Sequence, residues 1–591
     1  MSRVRRRAAV VATAVATLVL VAGCGGLTTH TGVQRGLEVG SGGGSQVRVI
    51  PPGPVAGDDR DQIVRGFIRA GSASDGDYDA ARSFLTEPMA KQWTPDGEIV
   101  IFSNEGSLSL TLTGPATGVL TGAADAVVSP AGRYTTLPAG SRRSAAVGFA
   151  KIAGQWRIAD LPKGFGRWLS SADVPRLLRP YAVHFVAADR SALVSDVRWF
   201  PLDRLTTRLA RAQLEEVPAY LAGAVRSEVP QGARLLADGV PVVDGVATVD
   251  LSARVPTDQA VREGLWAQFV ASLTQVPGVL SVALRVDGAS LDLPGVGSPV
   301  ATITALGFEP ESPLSVGDPL LRQGSTLTVL GEGAAADDRA PASSPGTAAY
   351  PQIPTSVTNL ALSADGAQVA GVDPGRAGIS LWRGSTRTQV GGIGGQLGDP
   401  SFDRLGYLWI GGVDARRSPA TRLWALNAEE PTHPAVQPTP VDAGWLGGRR
   451  VVESKVAPDG QRLVVLSTDA SGRRARLDVA GIVRDAAGRP VRLADPLRLG
   501  SPVTGFVGLA WLDNETLTTL GGTSPTTLAP YVIGLGGDVR GLSRTPGGVA
   551  VGCPGGERAI RVVTAAGEVL ARTGPRWFKE ADGTGVLVAG R

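Results

Sequence analysis

Val456-Ala457-Pro458-Asp459-Gly460, running into the strand-like Arg462 to Leu466, is the stretch on which the fold of this 591-residue chain turns. It has three echoes. Ala361-Leu362-Ser363-Ala364-Asp365-Gly366 precedes Gln368 to Val372, Pro400-Ser401-Phe402-Asp403 precedes Tyr407 to Ile410, and Leu509-Ala510-Trp511-Leu512-Asp513 precedes Thr516 to Leu520. The aspartates are 38, 56 and 54 residues apart, near the period of one propeller blade. Each blade is a small antiparallel sheet that buries both faces against its neighbours, and an Asp-Gly turn joins two of its strands. Leu381-Trp382 and Leu423-Trp424 fit later strands. Residues 318–591 are therefore expected to form an all-β propeller of five to seven blades. Residues 331–354, rich in Ala, Pro, Asp and Ser, read as a mobile loop near its start. An irregular pair of β-sandwiches is the competing reading.

Upstream the pattern changes to two α+β domains, 58–190 and 191–308. In the first, Asp58 or Asp59 caps a helix with Ile63, Val64, Phe67 and Ile68 on one face. Tyr78, Ala81, Arg82, Phe84 and Leu85 predict a second helix ending near Pro88, and strands follow at Ile99–Phe102, Leu108–Leu112 and Gln155–Ile158. In the second, Val194 to Phe200 is a strand, and Leu205 to Val225 is helical in composition, kinked or split by Pro218. A hairpin turns at Asp244-Gly245. Val261, Leu265, Phe269 and Leu273 predict an amphipathic helix, and a strand closes the unit near Val286.

The strongest chemical signal lies at the N-terminus. Residues 1–23 carry an Arg-rich start and an apolar run broken only by Thr13 and Thr17, the pattern of a signal peptide. Val21, Ala22 and Gly23 leading to Cys24 resemble the lipobox of bacterial lipoproteins, which implies the processing that follows. A small, apolar approach lets a membrane peptidase reach the bond before Cys24, whose thiol takes a diacylglyceryl group. The same resemblance implies N-acylation of the amine freed by cleavage, and two or three chains would give stable anchoring. Residues 24–57, with Ser41-Gly42-Gly43-Gly44-Ser45 and Pro51-Pro52-Gly53-Pro54, read as a flexible tether. No later stretch reaches 18 uninterrupted apolar residues, so the lipid is the expected membrane attachment.

Composition narrows the function. There are 58 basic and 54 acidic side chains, but four arginines lie in the first 23 residues, where there is no acid. Without them the balance is 54 to 54, and the case for a nucleic-acid partner loses its support. Two Cys and three His, the latter at positions 30, 184 and 433, argue against a metal site or a histidine-built catalytic centre. Cys553 reads as a buried apolar residue and His184 as a hydrogen-bonded core residue. No Gly-x-Ser-x-Gly elbow, phosphate-binding Gly-Lys loop or His-Glu-x-x-His is present. The carboxylate pairs Asp58-Asp59, Asp337-Asp338 and Glu429-Glu430 fall in cap-like or loop-like sequence. The expectation is a non-enzymatic chain with no catalytic residue, cofactor or metal.

Further marks are Ile63-Val64-Arg65-Gly66-Phe67, Ala81-Arg82-Ser83-Phe84-Leu85-Thr86 and Trp93 in the first module. The middle unit contributes Arg198-Trp199-Phe200-Pro201-Leu202, Leu235-Leu236, Val249-Asp250-Leu251-Ser252 and Ala267-Gln268-Phe269-Val270-Ala271-Ser272-Leu273-Thr274. With these marks, and with lipobox, two α+β modules and propeller in that order, the chain resembles the LpqB lipoprotein family of actinobacteria. Its middle unit resembles a GerMN domain. The resemblance implies an accessory lipoprotein on the outer face of the cell membrane. Its implied partner is the extracytoplasmic domain of a sensor histidine kinase of the MtrAB type, with an effect on envelope and division signalling. The residues alone describe a tethered multi-module binder. A second reading therefore stays open, recognition of peptidoglycan or a small solute by the GerMN module or the propeller channel.

Overall fold

The structure is a computed structural model that describes residues 51–589, apart from 74–76, 310–317, 332–349, 415–420, 429–437, 502, 523–527 and 546. The expected signal peptide, the lipobox, tether residues 24–50, most of the 331–354 loop, His30, His433, Asp337-Asp338 and Glu429-Glu430 lie outside the described residues.

Helix Arg60–Ala70 starts on a reciprocal cap: Asp59 accepts from the Gln62 amide, and the Gln62 side chain accepts from the Asp59 amide. Its face of Ile63, Val64, Phe67 and Ile68 is buried, as expected. Phe67 meets Trp93 edge-on at 5.2 Å. A seven-stranded sheet wraps this core, with Glu98–Phe102 paired antiparallel to Thr117–Val128 and parallel to Phe165–Ser170. The expected second helix is instead one turn, Asp79–Arg82, followed by a separate helix, Glu87–Gln92. Pro88 opens that helix rather than ending the previous one, because the first turn needs no amide donor.

The boundary expected at 190/191 moves N-terminal. Strand Leu178–Ala187 pairs along its length with Leu193–Pro201, so it belongs to the middle domain. Helix Leu205–Gln213 stops well before Pro218, which leads into a single 3₁₀ turn, Ala219–Leu221. The Asp244-Gly245 turn is present, with both residues at positive φ (50° and 78°) and Val243 paired to Val246, as a two-residue hairpin requires. Helix Gln259–Leu273 begins on Asp258, whose carboxylate accepts two backbone amides. Beyond the expected apolar face, its part from Gly264 onward is buried nearly all round: Leu265, Trp266, Phe269, Val270 and Leu273 are buried together with Gln268 and Ser272, whereas the first turn is exposed or half-buried. The two polar residues survive there because they are bonded. Gln268 accepts from the Glu228 amide, and Ser272 joins Gln213 and His184.

Among the described residues the C-terminal region forms six sheets in a ring. Blades 1 to 5 begin with inner strands Thr358–Leu362, Ser401–Phe402, Arg450–Val456, Thr504–Trp511 and Gly548–Gly552. Blade 6 is composite: the late strand Gly585–Leu587 pairs with Leu320–Gln323, which pairs with Thr326–Val329. This pairing closes the ring through backbone hydrogen bonds between the two ends of the domain. The recurrent aspartates sit at the turn between the first two strands of blades 1 to 4. Asp365, Asp403, Asp459 and Asp513 each accept the backbone amide two residues on, at 2.8–3.0 Å. These are Asx turns, in which the side chain stands in for a backbone acceptor.

Candidate functional site

Three domains meet around two buried charges. Asp196, fully buried in the middle domain, receives Arg133 from the N-terminal domain, Arg198 at 2.7 Å and the Tyr220 hydroxyl at 2.9 Å. Burial pushes its carboxyl up, but Arg133 and Arg198 outweigh it and hold the group below the usual carboxylate range. Asp196 and Arg198 are two apart on one strand, so they share a face and Arg198 can reach on to Glu215.

Arg462 is the propeller's counterpart. It is fully buried at the start of the second strand of blade 3. One terminal nitrogen donates to the Ser195 carbonyl of the middle domain at 2.8 Å. The other pairs with Asp459 and donates to the Asn514 carbonyl of blade 4 at 2.7 Å. Burial opposes its charge, yet Asp459 and Tyr220 leave it more firmly protonated than a free arginine. Around this pin the cores merge. Val183, Phe185, Leu221 and Trp266 of the middle domain belong to one buried cluster with Val464, Leu466 and Leu509 of the propeller. Gly481 of blade 3 permits the approach, since a Cβ there would lie 2.7 Å from Ala224 Cβ. The N-terminal domain touches blade 4 directly, the Tyr134 amide donating to the Gly536 carbonyl at 3.2 Å, and it touches the middle domain through the Tyr134 ring, 4.7 Å from Trp199.

The propeller axis holds a cavity of about 140 Å³ lined by all six inner strands, including Leu362, Phe402, Lys455, Trp511, Val551 and Leu587. Nearby, Glu453 is buried with Lys455 at 3.6 Å and accepts the Leu509 amide. Burial pushes its carboxyl up to about 7, with Lys455 pulling down and Asp399 pushing further up. Asp399 is itself raised by burial and held by Asn359 at 2.5 Å and Arg376 at 3.4 Å.

His184, Cys553, Asp58 and Asp59 are committed to structural contacts. The His184 ring bonds the Ser272 hydroxyl at 3.1 Å, and burial with nearby Arg462 pushes its imidazole down to about 4. It is neutral in the folded chain near neutral pH. Cys553 is buried, its thiol donates to the Gly556 carbonyl, and burial raises it to about 11, which removes thiolate character. Asp58 accepts the Val55 amide and Asp59 caps a helix. Among the described residues no group of three or more His, Cys, Asp and Glu side chains is arranged to hold a metal ion. No described helix is long and apolar enough to cross a membrane. The sequence reading missed the Asp196 and Arg462 clusters and the Glu453 site. The spacing Asp196-x-Arg198 was a signal for the first, whereas Arg462 carried none beyond following an Asp-Gly turn.

Three families of domain match in the order of the three folded parts: the N-terminal domain of lipoprotein LpqB over residues 53–175, a domain described as sporulation and spore germination over 182–292, and the lipoprotein LpqB beta-propeller domain over 334–587. Lipoprotein LpqB of Thermobifida fusca is 27% identical over 92% of this chain and 92% of its own length. Over nearly its whole length the chain is similar to the LpqB lipoproteins. Lipoprotein LpqB of Streptomyces coelicolor is 26% identical over 88% of this chain and 86% of that protein. The LpqB relatives are named as lipoproteins, proteins held at a membrane by lipid. Among solved structures, the tandem GerMN domains of the sporulation protein GerM from Bacillus subtilis match 21% of this chain and 45% of that one at 18% identity, with a TM-score of 0.18. That likeness carries no argument, and the fold rests on the sheet orders described above.

Proposed function

We propose that the mature chain is a non-enzymatic accessory protein, acylated at Cys24 and held at the outer face of the cell membrane. There it binds the extracytoplasmic domain of a sensor histidine kinase of the MtrAB type and modulates envelope and division signalling. The observation that carries the reading is similarity to the LpqB lipoproteins over 92% of the chain, with Val21-Ala22-Gly23-Cys24 at the expected distance behind an apolar run. The junction supports it in a second way. Arg462, Asp196 and Arg133 tie three domains into one block, so a partner meets a preformed surface and little ordering cost accompanies binding. The ionisable groups of this junction are spent on internal contacts, which fits a docking role better than turnover.

A second reading has one observation in its favour. The axial cavity, with Phe402, Trp511 and Lys455 in its wall, has the mixed apolar and polar lining of a small-ligand pocket. The two separate in one experiment: immobilise the mature chain, then pass over it the sensor's extracytoplasmic domain and, separately, soluble cell-wall fragments. Sensor binding without fragment binding supports the proposal. Fragment binding without sensor binding replaces it with the second reading.

A further inference from the structure

We infer that the end of the N-terminal domain at which the tether enters is a bilayer-contacting tip. The inference rests on the reading of Cys24 as the lipid anchor. Four pieces converge there. The entering chain is fixed by the Gly57 amide donating to Gln155 at 2.8 Å, beside the hairpin that joins Arg142–Ile152 to Gln155–Asp160. Arg60, in the first turn of helix Arg60–Ala70, donates to the Pro115 carbonyl at the tip of the neighbouring hairpin. The two hairpins are joined by the Phe149 amide donating to the Ala116 carbonyl at 2.8 Å. Three large aliphatic residues stand out from this end: Val55 at 63% exposure, Ile152 at 54% and Leu112 at 46%.

At the same hairpin lies half-buried Trp156, with the Arg60 guanidinium and the Lys151 ammonium each 5.0 Å from its ring. A tryptophan among aliphatic side chains, flanked by long basic residues that keep their charge toward water, is the composition of a headgroup-level anchor. The acidic residues nearby are committed: Asp58 accepts the Val55 amide, Asp59 caps the helix and Asp61 pairs with Arg65 at 2.6 Å. Twenty-six residues separate Cys24 from Pro51. Fully extended they span at most about 90 Å, so an acylated Cys24 keeps this end within reach of lipid. A surface too weak to bind from solution is then populated through effective concentration. The occupant is the bilayer itself, and contact would set the orientation of the whole block.

The test uses the lipidated full chain in vesicles of phosphatidylcholine and phosphatidylglycerol. Ile152→Cys carries a polarity-sensitive fluorophore, and Phe578→Cys, on the outer strand of blade 5 and 51% exposed, is the control. Cys553 is buried and Cys24 is acylated in this reading, so labelling is confined to the new site. The expected result is a blue-shifted probe at 152, quenched by brominated lipid, with the 578 probe in water. Adding Val55→Ser and Leu112→Ser should reduce quenching at 152 about tenfold as apolar area leaves the interface. Equal exposure to water at both sites, with Cys24 acylated by mass, overturns the tip and leaves the anchor standing. An unacylated Cys24 overturns the anchor. Quenching at both sites also overturns the tip, because contact is then not confined to it.

Discussion

Arg462 donates to the Ser195 carbonyl at 2.8 Å, which ties the propeller by a buried hydrogen bond to the interior of the middle domain. Replacing it with Ala leaves Asp459 buried without its partner and strips the Ser195 and Asn514 carbonyls of a donor. Breaking a buried pair on one side costs about 3–5 kcal/mol. Arg462→Ala should lower the urea midpoint accordingly and separate the unfolding of the propeller from that of the middle domain, seen as a second transition by circular dichroism. Arg462→Lys should recover only part, because one ammonium cannot reproduce the planar fork.

Asp196→Asn removes the charge that Arg133 and Arg198 share. The native carboxyl lies below its usual range, so its stabilisation is present above the unfolded value near 3.8 and is lost as pH falls through the lower folded value. The variant should therefore be markedly less stable than the parent at pH 7. The two should converge in acid, as measured by denaturant midpoints across pH.

Glu453 and His184 bend the pH profile in opposite directions. From about 4.5 to about 7 the folded chain keeps a proton on Glu453 that the unfolded chain has lost, so this contribution to stability falls as pH rises. From about 4 to 6.5 the unfolded chain binds a proton that folded His184 refuses, so this contribution rises with pH. They offset each other where the windows overlap. Glu453→Gln should unmask a stability that climbs from pH 4.5 to 6.5 and then stays level. His184→Gln should unmask the opposite slope, each up to about 1.4 kcal/mol per pH unit.

How much of this was legible beforehand depends on the range of the interaction. The four Asx turns could be read because each aspartate bonds an amide two residues away. Blade 5 escaped because Cys553-Pro554-Gly555-Gly556 replaces the Asp at the matching turn. Blade 6 escaped because its pairing joins Leu320–Gln323 to Gly585–Leu587, more than 260 residues apart in the chain. Helix Gln259–Leu273 was found at the right place but assigned one apolar face. Gln268 and Ser272 are buried on the rest of its surface because partners from other elements bond them. The junction residues Arg133, Asp196 and Arg462 come from three domains, and although Asp196-x-Arg198 is a local charge pair, no local pattern brings Arg133 and Arg462 to it.

Gly537 reports on the seam between the N-terminal domain and blade 4. Its φ is +99°, and a Cβ there would fall 1.7 Å from the Tyr134 carbonyl oxygen. Gly537→Ala must therefore shift backbone on one side and strain it on the other, with strain alone costing about 1–3 kcal/mol. Limited proteolysis should show the N-terminal domain released faster than from the parent.

The central claim is that this three-domain block is carried on a lipid at Cys24. The most direct measurement is the mass of the first peptide of the native protein extracted from membranes. The expected product is a chain beginning at Cys24 with a diacylglyceryl group on its sulfur and an acyl chain on its amine, both absent from Cys24→Ala. A native chain that retains residues 1–23, or one that begins at an unmodified Cys24, would contradict it.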